Sequence, residues 1–373
     1  MPAENCWMLC DEKQVCHNVI MLLAFLYEVI AVKDNLLKIG PGKIREIANT
    51  LKEANITGEI LYISGPHVDA LYGADVRRQI CEVGRIENVV VKSNTISYAM
   101  QIAERAIATD ISCIVGMGGG RVLDVCKYAA YIAKIPILSI PTTISHDGIA
   151  SPIAVLKRQD DKPKSLGCIA PTMLIIDTDI ISQCPATLIK AGIGDTISNY
   201  TALRDWELAV ARGKDKMNGY AYIMSKTALE TLMKTQFGSI CDEFIHVLIH
   251  SIVLSGIAIE FAGTSRPVSG SEHLFSHALD FFFNKCNLHG FNVALGTVAV
   301  LRIINEDDSE IRNYLHRFGV DVNPRHMEIS ENEFVYCMSH AIEMRTNRYT
   351  YLNEANLNPN HLKKIYRSLV EDL

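Results

Sequence analysis

The sequence predicts an α/β domain with a parallel sheet, followed by an all-helical domain. From about residue 35 to 185, short β-branched runs alternate with segments whose apolar residues recur three and four positions apart. Such alternation is typical of parallel βαβ units with buried strands. From residue 186 onward helical periodicity takes over and no convincing strand remains. The length of 373 residues, at roughly 100–200 residues per domain, also favours two domains.

The strands and helices follow in order from this pattern. Five short β-branched runs are predicted as strands, at 60–64, 88–91, 111–115, 137–140 and 174–177. Helices are predicted at 42–54 and 98–108 in the first half, then at 187–210, 219–237, 242–262, 271–284 and 290–304. We therefore divide the chain into an N-terminal extension and first strand region (1–34), a nucleotide-type α/β domain (35–185) and a helical domain (186–373).

Composition excludes several classes of protein. Lysine and arginine number 36 against 42 aspartates and glutamates, so the formal charge of −6 leaves no electrostatic footprint for nucleic acid. The longest apolar run, 19–32, is interrupted by Glu28 and is too short for a membrane span of about 20 residues. The chain also begins with acidic residues, whereas a signal peptide begins with basic ones. We therefore expect neither a membrane span nor export.

The eleven cysteines do not form a recognisable framework. Their number is odd, they are spread over the chain, and no Cys-x-x-Cys pair occurs. A disulfide scaffold and a four-thiolate zinc site are both disfavoured, so a reducing cytoplasm is expected. Cys6, Cys10 and Cys16 form a loose cluster, interpreted either as an oxidisable extension or as a metal site.

A glycine-rich turn follows the predicted strand at 111–115. Gly118, Gly119 and Gly120 lead directly into a helical segment. Consecutive glycines let the backbone approach a phosphate, and a helix N-terminus supplies free N–H groups. The pattern matches neither common nucleotide fingerprint, so a simple tight turn is the alternative. Asp124 is expected in the first helical turn, where a carboxylate complements the helix dipole.

A polar loop follows the next predicted strand, 137–140. Loops at the carboxyl ends of parallel strands surround the ligand crevice in doubly wound sheets. Hydroxyl groups here suit a phosphate or ribose, and the carboxylate of Asp147 suits a substrate hydroxyl. A turn that satisfies its own backbone is the alternative. The hydroxyl residues are Thr142, Thr143, Ser145 and Ser151.

One acid and three histidines in the second half have the spacing of a metal site. His273 and His277 are four residues apart, on one helix face, and His289 follows sixteen residues after the first. Asp195 opens a helix after a Gly-x-Gly pair. One carboxylate with two or three imidazoles is enough for a catalytic divalent metal with an open position. Structural histidines are the alternative interpretation.

With these three segments together, the chain resembles the sn-glycerol-1-phosphate dehydrogenases. That family belongs to the iron-containing alcohol dehydrogenase, glycerol dehydrogenase and dehydroquinate synthase superfamily. The resemblance runs from about residue 35 to the end, and the run 141–152 is its most specific match. It is joined by 194–195 with 205–206, and by 265–273. The resemblance implies a dehydroquinate synthase-like fold, a Rossmann-like domain followed by a helical one.

The resemblance implies a role for each matching position. Asp195, His273 and His289 would bind one divalent metal, Zn²⁺ first, with Ni²⁺ or Fe²⁺ as alternatives. Asp147, Asp195 and His277 would contact the substrate, with Asp147 and His277 as the catalytic candidates. NAD or NADP would contact ten positions, namely Gly118, Gly119, Gly120, Arg121, Val122, Thr142, Thr143, Ile144, Ser145 and Ser151.

The implied reaction is reversible reduction of dihydroxyacetone phosphate to sn-glycerol 1-phosphate, in phospholipid metabolism. A cytoplasmic homo-oligomer with a phosphorylated or polyol substrate is expected. Two alternatives stay open within the superfamily: a dehydrogenase of another polyol, phosphonate or aminocyclitol, and a dehydroquinate-synthase-like cyclase. The cyclase is disfavoured because its members carry Glu where this chain has Asp195. A non-catalytic binding protein is a third alternative.

Some positions bear on substrate and cofactor choice. Arg121 stands where the family more often has Lys. Phe291 and Asn292 follow His289-Gly290, at two positions where relatives commonly have a pair of polar residues. Arg266 and Lys226 are the candidate partners of a substrate phosphate. No acid directly follows the strand at 60–64, the nearest being Asp69, so use of both NAD and NADP is expected.

Overall fold

The computed structural model describes residues 36–285 and 287–371. The predicted N-terminal extension, including its cysteine cluster and the apolar run 19–32, lies outside the described residues.

The first half contains a six-stranded parallel sheet in the order β1-β8-β5-β4-β2-β3. All five predicted strands are present, and the prediction missed β1, at one edge of the sheet. The central strands are almost entirely buried, as expected where helices cover both faces. The strands are β1 (Leu36–Gly40), β2 (Glu59–Ser64), β3 (Arg85–Val90), β4 (Ile111–Gly118), β5 (Ile137–Pro141) and β8 (Met173–Asp177).

Four helices connect these strands and cover the sheet. The helix expected at 42–54 begins as a 3-10 turn, Lys43–Glu46. Ile102 and Val125 pack on one face of the sheet, and Ile47 and Val76 pack on the other. The helices are α1 (Ile47–Glu53), α2 (Pro66–Cys81), α3 (Ile96–Ala108) and α4 (Gly120–Ala133).

An antiparallel hairpin, β6 (Ile153–Lys157) and β7 (Pro163–Gly167), interrupts the βαβ pattern after β5. The sequence analysis did not predict it. The second strand, Pro-Lys-Ser-Leu-Gly, is partly exposed and has no β-branched residue, so it lacks the composition of a buried strand.

No strand is present among the described residues after Asp177. The single helix expected at 187–210 is divided into two at Ser198, whose hydroxyl donates to the carbonyl of Asp195 (2.7 Å). The helices of this half are α5 (Thr178–Ile181), α6 (Ala186–Ile197), α7 (Asn199–Ala211), α8 (Gly219–Lys234), α9 (Asp242–Ala262), α10 (Ser271–Phe283), α11 (His289–Ile303), α12 (Ser309–Arg317), α13 (Glu331–His340) and α14 (Pro359–Glu371).

Helix α9 is the centre of the helical half. It is long and apolar enough to cross a membrane, but 72% of its most apolar window is buried inside the protein. Its residues Phe244, Leu248 and Ile252 belong to a core shared with α11. Burial of this kind identifies α9 as a core helix.

Helix α6 joins the two halves at the carboxyl edge of the sheet. A β-carbon on Gly192 of α6 would overlap the carbonyl oxygen of Ile144, in the loop after β5. The backbones therefore touch, and the next turn of α6 presents Asp195 to this loop.

Candidate active site

A close crossing of α6 and α11 brings Asp195 and His289 together. Asp195 directly follows Gly194, and His289 directly precedes Gly290. A β-carbon on Gly290 would overlap the carbonyl of Ala191, and one on Gly194 would overlap the carbonyl of Gly290. Because neither position has room for a side chain, the helix backbones touch. The Nε2 atom of His289 lies 3.5 Å from Oδ1 of Asp195.

His273 completes a three-residue cluster. Its Nε2 atom lies 4.0 Å from Oδ1 of Asp195, and one ligand atom from each of Asp195, His273 and His289 lies within 4.8 Å of the others. Small side-chain movements would allow metal–ligand bonds of about 2.0–2.2 Å. One carboxylate and two imidazoles that leave a coordination position open suit a catalytic divalent ion. The residues therefore fit the implied metal.

The other nitrogen of each imidazole is occupied by a polar neighbour. Nδ1 of His273 lies 2.8 Å from Oε1 of Glu272, and Nδ1 of His289 lies 3.2 Å from the hydroxyl of Ser276. Both Nε2 atoms are left facing Asp195. Partners of this kind orient histidine ligands in metal sites. Neither Glu272 nor Ser276 was predicted from the sequence to have a role. Because a carboxylate commonly partners a ligating imidazole, the acid next to His273 is a signal that points to Glu272.

The electrostatics of the cluster favour neutral imidazoles. Burial, reinforced by nearby arginines, lowers the pKa of His273 to about 3. Burial also holds the pKa of His289 well below its usual value. Burial and then the Asp147 carboxylate raise the pKa of Asp195 well above its usual value. Neutral imidazoles offer lone pairs to a metal, and a bound cation would draw the pKa of Asp195 down again.

Asp147 and His277 lie beside this cluster. The backbone N–H of Asp147 donates to Oδ2 of Asp195 (2.9 Å), which ties the loop after β5 to the cluster. Burial raises the pKa of Asp147 to about 6. The ring of His277 lies 6.2 Å from the rings of both His273 and His289. The fold thus gathers the predicted metal-binding and catalytic residues, which are far apart in sequence.

The glycine turn between β4 and α4 forms a cradle beside the same loop. A β-carbon on Gly120 would lie 2.6 Å from Nε2 of His146, and one on Gly119 would lie 3.4 Å from Oγ1 of Thr143. No side chain in the described part of the chain caps α4, so its first N–H groups are available to a phosphate. The hydroxyl of Ser151 is buried without a hydrogen-bond partner in the described structure. These features fit a dinucleotide.

The remaining predicted cofactor positions differ in their surroundings. Arg121 is exposed and Ser145 is half-buried. Val122 lies 3.5 Å from where a β-carbon of Gly65, at the end of β2, would stand. Ile144 is fully buried in the core of the helical half, so only its backbone is left for a ligand.

Asp124 and Lys127 form a buried pair that the sequence analysis missed. Asp124 is not in the first turn of α4; its carboxylate accepts from the N–H of Val155 (3.0 Å) and pairs with Lys127 (3.1 Å), so the expected dipole role is wrong. The ammonium of Lys127, wholly buried, donates to the carbonyls of Gly148 (2.6 Å) and Ile153. Lys127 therefore anchors the segment that follows Asp147.

Comparison with known proteins identifies the family. Residues 38–185 match the family model described as iron-containing alcohol dehydrogenase. The glycerol-1-phosphate dehydrogenase (NAD(P)+) of Hyperthermus butylicus is 37% identical over 86% of this chain and 92% of its own length. The enzyme of that name from Metallosphaera sedula is 33% identical over 92% of this chain and 98% of its own length.

Solved structures show the same fold. The crystal structure of a probable glycerol dehydrogenase from Sinorhizobium meliloti 1021 matches with a TM-score of 0.71 and 18% identity, over 90% of this chain and 96% of that one. A glycerol dehydrogenase from Schizosaccharomyces pombe matches with a TM-score of 0.71 and 16% identity, over 90% of this chain and 88% of that one. These likenesses confirm the predicted fold class, and the sequence identities show that this chain belongs to the glycerol-1-phosphate dehydrogenase family of iron-containing alcohol dehydrogenases.

Proposed function

We propose that this protein is a metal-dependent, NAD(P)-linked dehydrogenase that reversibly reduces dihydroxyacetone phosphate to sn-glycerol 1-phosphate. The observation that carries the proposal is the convergence of Asp195, His273 and His289 beside the dinucleotide cradle. The printed activity of the relatives supports the choice of substrate.

The residues of the site are proposed to have separate roles in the reaction. Asp195, His273 and His289 would hold a divalent ion that would supply a Lewis acid for the carbonyl oxygen, and a bound nicotinamide would supply the hydride. The bond from the Asp147 N–H to Asp195 ties Asp147 to the cluster, where its carboxyl would bind a substrate hydroxyl. His277, whose pKa burial holds well below its usual value, would relay a proton as a neutral imidazole: it would give the proton of one ring nitrogen to the product oxygen and take up another from water on the second nitrogen.

Metal identity, compartment and assembly are part of the same proposal. We assign Zn²⁺ ahead of Ni²⁺ or Fe²⁺ because a carboxylate with imidazoles and an open position is typical of catalytic zinc. All seven described cysteines are free, which supports the reducing cytoplasm. The assembly is proposed to be a homo-oligomer.

A ketone screen with the metal-loaded protein tests the function. We expect oxidation of NADH or NADPH with dihydroxyacetone phosphate, and a product that chiral analysis identifies as sn-glycerol 1-phosphate. Turnover of an unphosphorylated ketone, a phosphonate or an aminocyclitol in place of this substrate would favour the rival dehydrogenases. Ring closure of a sugar-acid phosphate with no net change in NAD(H) would favour the cyclase.

Cofactor choice depends on the acid nearest to the end of β2. Ser64 ends β2 and pairs with Met117 of β4, the residue just before the glycine turn. The hydroxyl of Ser64 donates to Asp69 (3.2 Å). Arg77 also pairs with Asp69 (2.6 Å). In Rossmann-like domains an acid after the second strand binds the ribose 2′-hydroxyl, whereas an arginine accommodates a 2′-phosphate. We infer that Asp69 takes the first role and that its ion pair keeps Arg77 from the second.

Replacing Asp69 with Asn is therefore expected to favour NADPH. The ratio of kcat/KM for NADPH to that for NADH should rise about tenfold, the equivalent of ~1.4 kcal/mol, because a repelling carboxylate is removed and Arg77 is released. Asp75→Asn is the control, since Asp75 is exposed on the same helix and pairs with Arg78 (2.9 Å). An unchanged ratio in the Asp69 variant would contradict this assignment.

A further inference from the structure

Two arginines converge on one hydroxyl next to the helix that carries His273. Oγ of Ser265 lies 3.0 Å from a terminal nitrogen of Arg345 and 2.9 Å from one of Arg348. Within residues 36–285 and 287–371, neither guanidinium forms an ion pair with a carboxylate. Two like charges held together at a part-buried place repel each other, so their arrangement favours an anion that binds both.

The cationic residues suggested by the sequence have other partners. Arg266 is buried, pairs with Asp215 (2.6 Å) and donates to the carbonyl of Tyr349 (2.6 Å). Lys226 is half-exposed on α8 and lies 3.9 Å from Glu230. A substrate phosphate therefore has better partners in Arg345 and Arg348 than in either.

The two buried acids nearby, Glu272 and Asp205, already accept hydrogen bonds from other groups. Glu272 accepts hydrogen bonds from the hydroxyl of Thr201 (2.6 Å) and contacts Nδ1 of His273. Asp205 accepts from the backbone N–H of Ser271 (2.5 Å) and from that of Tyr351 (2.6 Å). Their charges stabilise the cationic form of Arg348, whereas among the described residues no carboxylate forms an ion pair with Arg345.

The two arginines lie close to α10, the helix that carries His273 and His277. Arg345 ends a 3-10 turn, Ala341–Arg345, that packs against α10. Burial is the largest cause of the lowered pKa of His277. The charge of Arg345 is the second largest, ahead of the two neighbouring imidazoles. Arg348 is buried and donates to the carbonyl of Ser269, just before α10. Arg345 is only partly buried, so some of its surface remains accessible.

We propose that Arg345, backed by Arg348 and Ser265, is the subsite for the phosphate end of the substrate. This inference rests on the proposed function, because it assigns the anionic group of that substrate. A guanidinium presents several N–H donors in a planar fork that matches a phosphate, and such charge-assisted hydrogen bonds are among the strongest in proteins. The subsite would make an uncharged polyol a poor substrate.

Substitution of Arg345 by Gln tests the subsite. In the metal-loaded enzyme, Arg345→Gln is expected to lower kcat/KM for dihydroxyacetone phosphate about 10- to 100-fold, mainly through KM. The value for dihydroxyacetone, which has no phosphate, should fall much less, so that the ratio of the two kcat/KM values drops. Arg345→Lys should recover part of the loss. Arg367→Gln, at an exposed arginine paired with Glu331, is the control and should change neither value. Equal losses on both substrates, or no loss on either, would overturn the proposal.

A binding measurement separates this inference from the proposed function. Inorganic phosphate should raise the melting temperature of the metal- and cofactor-loaded wild type, and this shift should largely disappear in Arg345→Gln. If the wild type does not reduce dihydroxyacetone phosphate, the proposed function fails, and the melting experiment still decides the subsite. Equal stabilisation of both proteins by phosphate, or none in the wild type, would refute it.

Discussion

Replacement of His273 by alanine is expected to abolish metal retention and turnover together. The variant loses the Nε2 ligand that faces Asp195 and leaves Glu272 buried without its imidazole partner. The remaining ligands, Asp195 and His289, are too few to hold the ion during dialysis. Without a Lewis acid worth several kcal/mol, turnover should fall at least ~10³-fold. Elemental analysis of the dialysed protein and a dihydroxyacetone phosphate assay measure the two effects.

Two other histidines serve as matched controls. His277→Ala should retain the metal and lose turnover, because His277 lies beside the ligand cluster and outside it. His246→Ala, at a half-buried position on α9, should retain both. If His273→Ala turned over substrate in metal-free buffer, the assignment of the ligands would be wrong.

Replacement of Lys127 by methionine is expected to destabilise the protein by ~3–5 kcal/mol, the usual effect of leaving a buried charge unpaired. Methionine keeps the length of the side chain and removes the ammonium. The carboxylate of Asp124 would lose its counter-ion, and the carbonyls of Gly148 and Ile153 would lose a donor. The free energy of unfolding, measured by denaturant titration, should fall accordingly. Turnover should also fall, because these carbonyls belong to the segment that follows Asp147.

The buried pair provides its own control. In the double variant Asp124→Asn/Lys127→Met no unpaired charge remains, so part of the lost stability should return. Lys52→Met, at an exposed position on α1, should change the free energy of unfolding by no more than ~0.5 kcal/mol. A similar loss in the Lys52 and Lys127 variants would show that the ammonium of Lys127 has no special role.

The features that could be predicted from the sequence are local in the chain. The parallel strands follow from short β-branched runs, and the glycine turn follows from three consecutive glycines after such a run. His273 and His277 stand one helical turn apart, which a sequence shows directly. The edge strand β1 and the β6–β7 hairpin were missed because part-exposed, partly polar strands carry a weaker pattern.

The features that could not be predicted depend on contacts between distant segments. Arg266 and Lys226 were predicted to bind a substrate phosphate, because a sequence does not show which cations already have partners. In the structure Arg266 pairs with Asp215, and Lys226 lies near Glu230. Lys127 looks like an ordinary helix residue until the carbonyls that surround it are known.

By itself, the sequence determined the order of the α/β and helical halves and the residue types that a metal-dependent dehydrogenase needs, because periodicity and short motifs are properties of neighbouring residues. Only the tertiary structure decided that Asp195, His273 and His289 share one site, since the contact between Gly194 and Gly290 brings their helices together. It also decided that Arg345 forms no ion pair with a carboxylate among the described residues. Pairing and burial depend on the whole fold, and no local pattern encodes them.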